Sequence, residues 1–448
     1  MIYLFHTTFW IFTIWLIRRD TAKRDGISPA IWIPTLWIGI LSSKPLTAWV
    51  GFGGSDGSLE GSPLDRAFYF LLILSALFVI LQRNVDWTKI ISQNSALFLL
   101  YAYLLVSVLW ANSPVSSAKR WCKESGNILI VLVIYTEINP LNAIRAVFIR
   151  CAYVLIPLSI LYIRYFPELG RRYNRSGFLE ITGVTNQKNS LGTMVLVCGL
   201  IFAWDWIARS FPVNHSQNWI DRYLPPTIAF TGAYLVYLSD SKTSIVCLVI
   251  GIGIIVAIRY PFLHRKVSAL GIYVLASAVA FFLTDRIVGI TEWIVANLGR
   301  DMTLTGRTDV WRALLALHTD PILGTGFMSL WDDPHYRSIL PYWVGGSAHN
   351  GYLEIYLAGG LIGVALLTMM LISSARKINT ALSTQDDFAV VRFAIFVAAL
   401  LANVSESNFA SMTPLGFLFL LAAIGDAPRL LTKPILKKIV SSRSLPAC

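Results

Sequence analysis

Apolar runs long enough to cross a bilayer recur from one end of this chain to the other, and that recurrence limits its possible folds more than any other feature. A helical span needs about 20 apolar residues, fewer where polar flanks are tolerated. Such runs fall at 2–17, 30–50, 67–82, 95–110, 125–138, 141–162, 190–206, 225–238, 244–258, 267–284, 351–372, 390–404 and 415–427. The expected fold is therefore all-α, a polytopic transmembrane helical bundle of 12–13 spans. Residues 1–448 form one integral membrane domain, with a large, partly helical loop at 285–350 inserted between spans. Only 14% of residues are charged, where a soluble domain carries about a quarter.

The first run, 2–17, has its basic residues after it and no small-residue cleavage site behind it, so it is expected to stay as a span rather than act as a signal peptide. The five cysteines, Cys122, Cys151, Cys198, Cys247 and Cys448, lack metal-type spacing. Cys151, Cys198 and Cys247 read as packing residues within spans.

The net charge of +12 would suggest nucleic acid in a soluble protein. In a membrane protein it follows first from the enrichment of Lys and Arg in cytoplasmic loops, and no nucleic-acid partner is expected. Arg18, Arg19, Lys23 and Arg24, then Arg259, His264, Arg265 and Lys266, then Arg376 and Lys377, and finally Lys433, Lys437, Lys438 and Arg443 fall on one side when thirteen spans are counted. That side is read as the cytoplasm, which puts the 285–350 loop outside. Two basic segments then lie on the wrong side: Lys119, Arg120 and Lys123, and the connection holding Arg164, Arg171, Arg172, Arg175 and Lys188 with Asn189. A phosphate-bearing ligand would account for them. So would anionic headgroups.

The outer loop is too long for a mere connection. Its first part has apolar residues at 287, 290, 294 and 298 beside Trp293, a spacing that fits a helix either lying on the membrane or packed on the bundle. Further on, Thr308 and Asp309 can cap a helix through Val310 to His318, stopped by Pro321 and Gly324. Arg307 then sits at a helix N-terminus, where backbone N–H groups and a guanidinium favour one phosphate. Pairing with Asp301 or Asp309 is the plainer alternative. His349 and Asn350 open the next span. A helix N-terminus disfavours imidazole protonation, leaving the neutral form that a general base needs. Tyr352 and Tyr356 follow at spacings that would share the face of His349, whereas Glu354 points elsewhere. Lys242, in the Ser239–Ser244 turn, would cost roughly 2.5–3.5 kcal/mol in the bilayer core. It therefore faces either Asp240 or the same site. Asp332 and Asp333 with His335 give weak support for a cation, and no metal or other cofactor is expected. No nucleotide-binding glycine loop is present, so chemistry on the outside requires a substrate that brings its own leaving group.

Four segments together resemble the O-antigen ligase and Wzy-type polysaccharide polymerase superfamily. They are Gly183-Val184-Thr185-Asn186-Gln187-Lys188-Asn189-Ser190-Leu191-Gly192, the turn Ser241-Lys242-Thr243-Ser244, the stretch from Thr305-Gly306-Arg307-Thr308-Asp309-Val310-Trp311 to Pro321-Ile322-Leu323-Gly324-Thr325-Gly326-Phe327, and His349-Asn350-Gly351-Tyr352-Leu353-Glu354. Ile31 to Trp37 and Glu60 to Arg66 look like the exopolysaccharide-polymerase branch.

The resemblance implies glycosyl transfer at the periplasmic face of the bacterial inner membrane, metal-independent and inverting, from a polyprenyl-pyrophosphate donor. His349 would activate or orient the acceptor hydroxyl, Arg307 would hold the pyrophosphate, and Lys242 stands where many members carry arginine. Arg171, Arg172, Arg175, Lys188, Asn189, Asn350 and Tyr352 are candidate substrate contacts. The partners implied are the lipid-linked oligosaccharide and the bilayer, with a chain-length regulator and export machinery beyond them. A ligase moving finished polysaccharide to a lipid A core shares the donor chemistry. A lipid-linked oligosaccharide flippase would instead place its ionisable residues within facing spans. Because lysine keeps the charge but not the bidentate fork, Lys242→Arg is expected to retain partial or full activity, read as polymer formed by the variant.

Overall fold

Helices occupy twelve of the thirteen apolar runs in the computed structural model, which describes residues 2–51, 61–83, 85–174, 177–210, 219–260, 307–341, 344–384 and 386–424. The run at 267–284 lies outside those residues, as does the surface helix expected around Trp293. In chain order the helices are α1 Ile2–Ala22, α2 Trp32–Leu41, α3 Leu46–Trp49, α4 Pro63–Gln82, α5 Trp87–Gln93, α6 Ser95–Val106, α7 Pro114–Tyr135, α8 Pro140–Tyr165 and α9 Pro167–Gly170. They continue with α10 Lys188–Ser210, α11 Trp219–Leu238, α12 Lys242–Ala257, α13 Arg307–Leu315, α14 Pro334–Ile339, α15 Gly351–Ser383, α16 Asp387–Ala402 and α17 Pro414–Ile424. A short antiparallel hairpin, β1 Arg171–Tyr173 with β2 Leu179–Ile181, pairs Arg171 with Ile181.

The protein is an all-α polytopic membrane protein. Among the described residues, four helical stretches are long and apolar enough to cross a membrane unaided: Pro63–Gln82, Pro140–Tyr165, Lys188–Ala208 and Gly351–Ser383. The bent pair Trp87–Gln93 and Ser95–Trp110, at 90°, makes a fifth. Three more apolar helical stretches are shorter: Pro29–Leu41, Lys242–Ala257 and Pro414–Ile424. The lipid-exposed rim is apolar: on α4, Phe70, Leu71, Phe78 and Leu81 are each at least 60% exposed. In water that would be costly; in hydrocarbon it is the low-energy surface.

Charged side chains gather at the two ends of the bundle. At one end Glu137, nearly buried, accepts from Ser28 N and Ser28 Oγ at 2.7 Å and pairs with Arg83. Arg150 reaches Asp20 at 3.1 Å, and Asp20 also pairs with Arg24. Arg145 pairs with Asp205, and Lys377 Nζ donates to Asn94 Oδ1 at 2.6 Å. Arg24 and Lys377, both expected on the cytoplasmic side, lie at this end. His349, Arg307, Lys242 and Lys188 stand at the other.

One sequence-based boundary shifts, and two acidic candidates find structural partners. Lys119, Arg120 and Lys123 lie within the first turns of α7 rather than in a loop. Arg120 is buried there by Asp332, with which it pairs, and by the Met328 carbonyl at 2.9 Å. Asp333 caps α14 through His335 N at 2.8 Å. Both carboxylates of the suggested cation pair thus have structural partners.

One glycine fixes the outer segment onto the bundle. Within α15, Gly360 adopts φ 59°, ψ −156°, which breaks the helical ladder. The freed carbonyls of Leu357 and Ala358 accept from Thr325 N at 2.8 Å and Gly326 N at 3.0 Å, while Leu361 N donates to Pro321 O. The Pro321 to Phe327 stretch is thus stitched into the break, and a Cβ at Gly360 would lie 2.2 Å from the Ile322 carbonyl oxygen. Gly360→Ala is expected to cost at least about 1–3 kcal/mol in backbone strain, read as a lowered unfolding midpoint in detergent. Glu137→Ala strands the Arg83 charge and is expected to cost about 3–5 kcal/mol in the same measurement.

Candidate functional site

Three cationic residues on helices gather at the same end of the bundle. Lys188 is the first residue of α10 and Lys242 of α12, and Arg307 lies on α13. His349 immediately precedes the cap of α15. Helix N-termini carry partial positive charge and unpaired N–H groups, so this gathering would be repulsive without counter-charge. Two carboxylates supply it. Asp240 accepts Lys242 Nζ at 2.9 Å and stands 3.6 Å from Lys188 Nζ. Glu406 accepts Arg307 Nη2 at 2.9 Å and Asn189 Nδ2 at 3.2 Å, and its Oε2 lies 4.0 Å from His349 Nδ1. Neighbouring residues of α10 thus reach both carboxylates.

Each partner is placed by local sequence. Asn403, fully buried at the end of α16, accepts Asn408 N at 2.8 Å and Phe409 N at 3.1 Å on its side-chain oxygen. That turn presents Glu406. Gly351 N donates to the carbonyls of Asn403 and Glu406, and a Cβ at Gly351 would sit 2.0 Å from Asn403 Oδ1. Only glycine lets the start of α15 approach so closely. Asn350 accepts from Tyr352 N and Leu353 N as N-cap. His349, with φ 49°, lies outside the helix, and its imidazole is half-exposed. Its segment is clamped by Glu354, which accepts Ala348 N at 2.6 Å, Ser347 Oγ at 3.0 Å and Trp331 Nε1 at 3.0 Å. Trp311 Nε1 donates to Ala348 O at 2.9 Å, tying α13 to the same segment.

The remaining candidates divide by what they touch. Arg172 lines a shallow depression with Glu180, Gln187, Lys188 and Asn189. Arg171 instead closes the C-terminus of α8, donating to Ile163 O from Nε and Nη2. Asn350 is occupied as a cap. The Tyr352 hydroxyl donates to Leu400 O at 3.1 Å and its ring packs on Phe409, so it faces the bundle and not the imidazole. Arg175 lies outside the described residues. The expectation that Tyr352 shares the face of His349 fails because His349 is not in the helix. Glu354, set aside in the sequence for its direction, holds the His349 segment in place. Glu406 was missed. Its signal is an acid within the polar run Ser405-Glu406-Ser407-Asn408, between two apolar runs on the histidine side.

Electrostatically, Glu406 is the sensitive group. Partial burial works to raise its pKa, but His349 and the Arg307 guanidinium outweigh that and hold it below the usual carboxylate value.

Comparison with known proteins adds two findings. A family model described as O-antigen ligase matches residues 227–368. That span contains Asp240, Lys242, Arg307 and His349 but not Lys188, Asn189 or Glu406. The chain is also 24% identical over 303 residues to the exopolysaccharide production protein ExoQ of Rhizobium meliloti (strain 1021), covering 65% of this chain and 67% of that relative.

A depressed folded-state pKa makes the Arg307–Glu406 contribution to stability complete above the unfolded value near 4.5 and lost as pH falls through the folded value. Melting temperatures taken from neutral pH downward are expected to drop more steeply below about pH 4.5 in wild type than in Glu406→Gln. Parallel curves would show that the pair contributes nothing.

Proposed function

We propose that this chain, which belongs to the O-antigen ligase and Wzy-type superfamily in its exopolysaccharide branch, polymerises lipid-linked oligosaccharide repeats. The donor is the growing chain on polyprenyl pyrophosphate, the acceptor is an incoming lipid-linked repeat, and the site faces the periplasm from the inner membrane. The observation that carries this reading is the Glu406 carboxylate, which holds Arg307 and Asn189 and faces His349.

In this mechanism the acceptor hydroxyl loses its proton to His349. A proton on Nδ1, facing Glu406, leaves Nε2 as the basic nitrogen. The hydroxyl oxygen attacks the anomeric carbon as the sugar–phosphate bond breaks, and its electron pair leaves on the pyrophosphate. Attack from the face opposite the leaving group inverts the anomeric centre. Negative charge grows on the departing diphosphate, where fixed cations and helix N-termini favour the transition state over the ground state. Arg307 carries five donors, so an ion pair through Nη2 does not exhaust its fork. Lys188 and Lys242, sharing Asp240, supply further positive charge.

Purified protein in liposomes, given lipid-linked repeats alone, is expected to lengthen them. His349→Ala should lower the rate by about 10²–10⁴-fold, and Arg307→Ala should abolish detectable polymer, with both variants retained in the membrane. Normal polymer from either variant would overturn the site. The description of the matching family favours a second reading, transfer of finished polysaccharide to a lipid A core. An absolute requirement for that acceptor would select it.

A further inference from the structure

A second groove lies between α4 and α7, beside the histidine segment. Its volume is about 890 Å³. Its walls carry Tyr69, Phe70 and Ile73 from α4, with Arg66, Lys119 and Lys123 at the end nearest the site. Phe70 and Val115 are 60% and 69% exposed on the apolar rim of the bundle, so the groove opens sideways toward lipid. It also reaches the chemistry. Gly346, three residues before His349, and Trp331, which donates to Glu354, both border it. The depression lined by Arg172, Lys188 and Asn189 shares no lining residue with it. The His349 segment therefore has a basic depression on the Glu406 side and a lipid-open groove on the Gly346 side.

Two details point to an occupant with a polar head. Lys123 Nζ sits 5.3 Å above the Tyr69 ring, held over the groove wall. Glu124, only 7% exposed, lines the groove with Oε2 unpaired among the described residues. A buried carboxyl oxygen without a partner is costly, and it puts a polar group in the groove wall beside Lys123.

Resting on the polymerase reading, we propose that this groove holds the acceptor. The prenyl chain lies along Tyr69, Phe70 and Ile73, the phosphate meets Arg66, Lys119 and Lys123, and the first sugar passes Glu124 and Gly346 toward His349. Donor and acceptor lipids would then approach the imidazole from different sides, as head-to-head transfer between two membrane-anchored substrates requires.

Cys122, exposed on α7 and lining the groove, provides the test. In a Cys448→Ser background in nanodiscs, labelling of Cys122 by a bulky maleimide is followed with undecaprenyl phosphate, undecaprenol or added phosphatidylglycerol. Undecaprenyl phosphate is expected to slow labelling about tenfold, a difference of ~1.4 kcal/mol, with little effect from the other two and loss of protection in the Lys119→Glu, Lys123→Glu double variant. In the polymerisation assay that double variant should raise the acceptor KM and leave the donor KM unchanged. Absent protection, or equal protection by the neutral alcohol or the phospholipid, overturns the site. Protection together with a raised donor KM overturns its assignment to the acceptor. The labelling arm needs no turnover, so failure of the polymerase reading alone would show as intact protection without polymer formation.

Discussion

The outer end of this protein depends on counter-charge. Three helices bring their N-termini to one place, two with a lysine as the first residue and one with a histidine just ahead of its cap, and Arg307 of α13 joins them. Asp240 and Glu406 hold that arrangement together. A diphosphate entering the site would take over part of their role, so the protein maintains with its own carboxylates a geometry already suited to an anionic leaving group. This is electrostatic preorganisation, in which the donors are oriented before charge develops.

The rest of the structure serves to keep those groups from drifting. Glu406 is aimed by the Asn403 turn, His349 by Glu354, and the outer segment by its backbone bonds to the break at Gly360. None of these supports needs to touch substrate. Their importance is positional, since a site that is loose by about an ångström loses most of its catalytic benefit.

Much of this was legible in the residues. Apolar runs located twelve helices because hydrocarbon thickness sets their length, and the basic residues pointed to both ends of the bundle. What sequence could not supply was pairing across long separations. Arg120 and Asp332 lie 212 positions apart, and Asn189 and Glu406 lie 217 apart. Arg120 and Arg171 therefore stood as ligand candidates until their partners, Asp332 and the Ile163 carbonyl, were seen. Glu406 is the complementary case: excess positive charge stands out in the sequence, whereas the single acid that organises it does not. Tyr352 and His349 share no helix face because helical periodicity stops at the Asn350 cap, one residue after His349.

The most direct measurement is a cryo-EM structure with a polyprenyl-pyrophosphate-linked repeat bound. The account places the diphosphate against the Arg307 guanidinium, with Lys188 or Lys242 on its other side and the His349 imidazole facing the sugar. A diphosphate seated at the opposite end of the bundle, near Arg150 or Arg259, would contradict it.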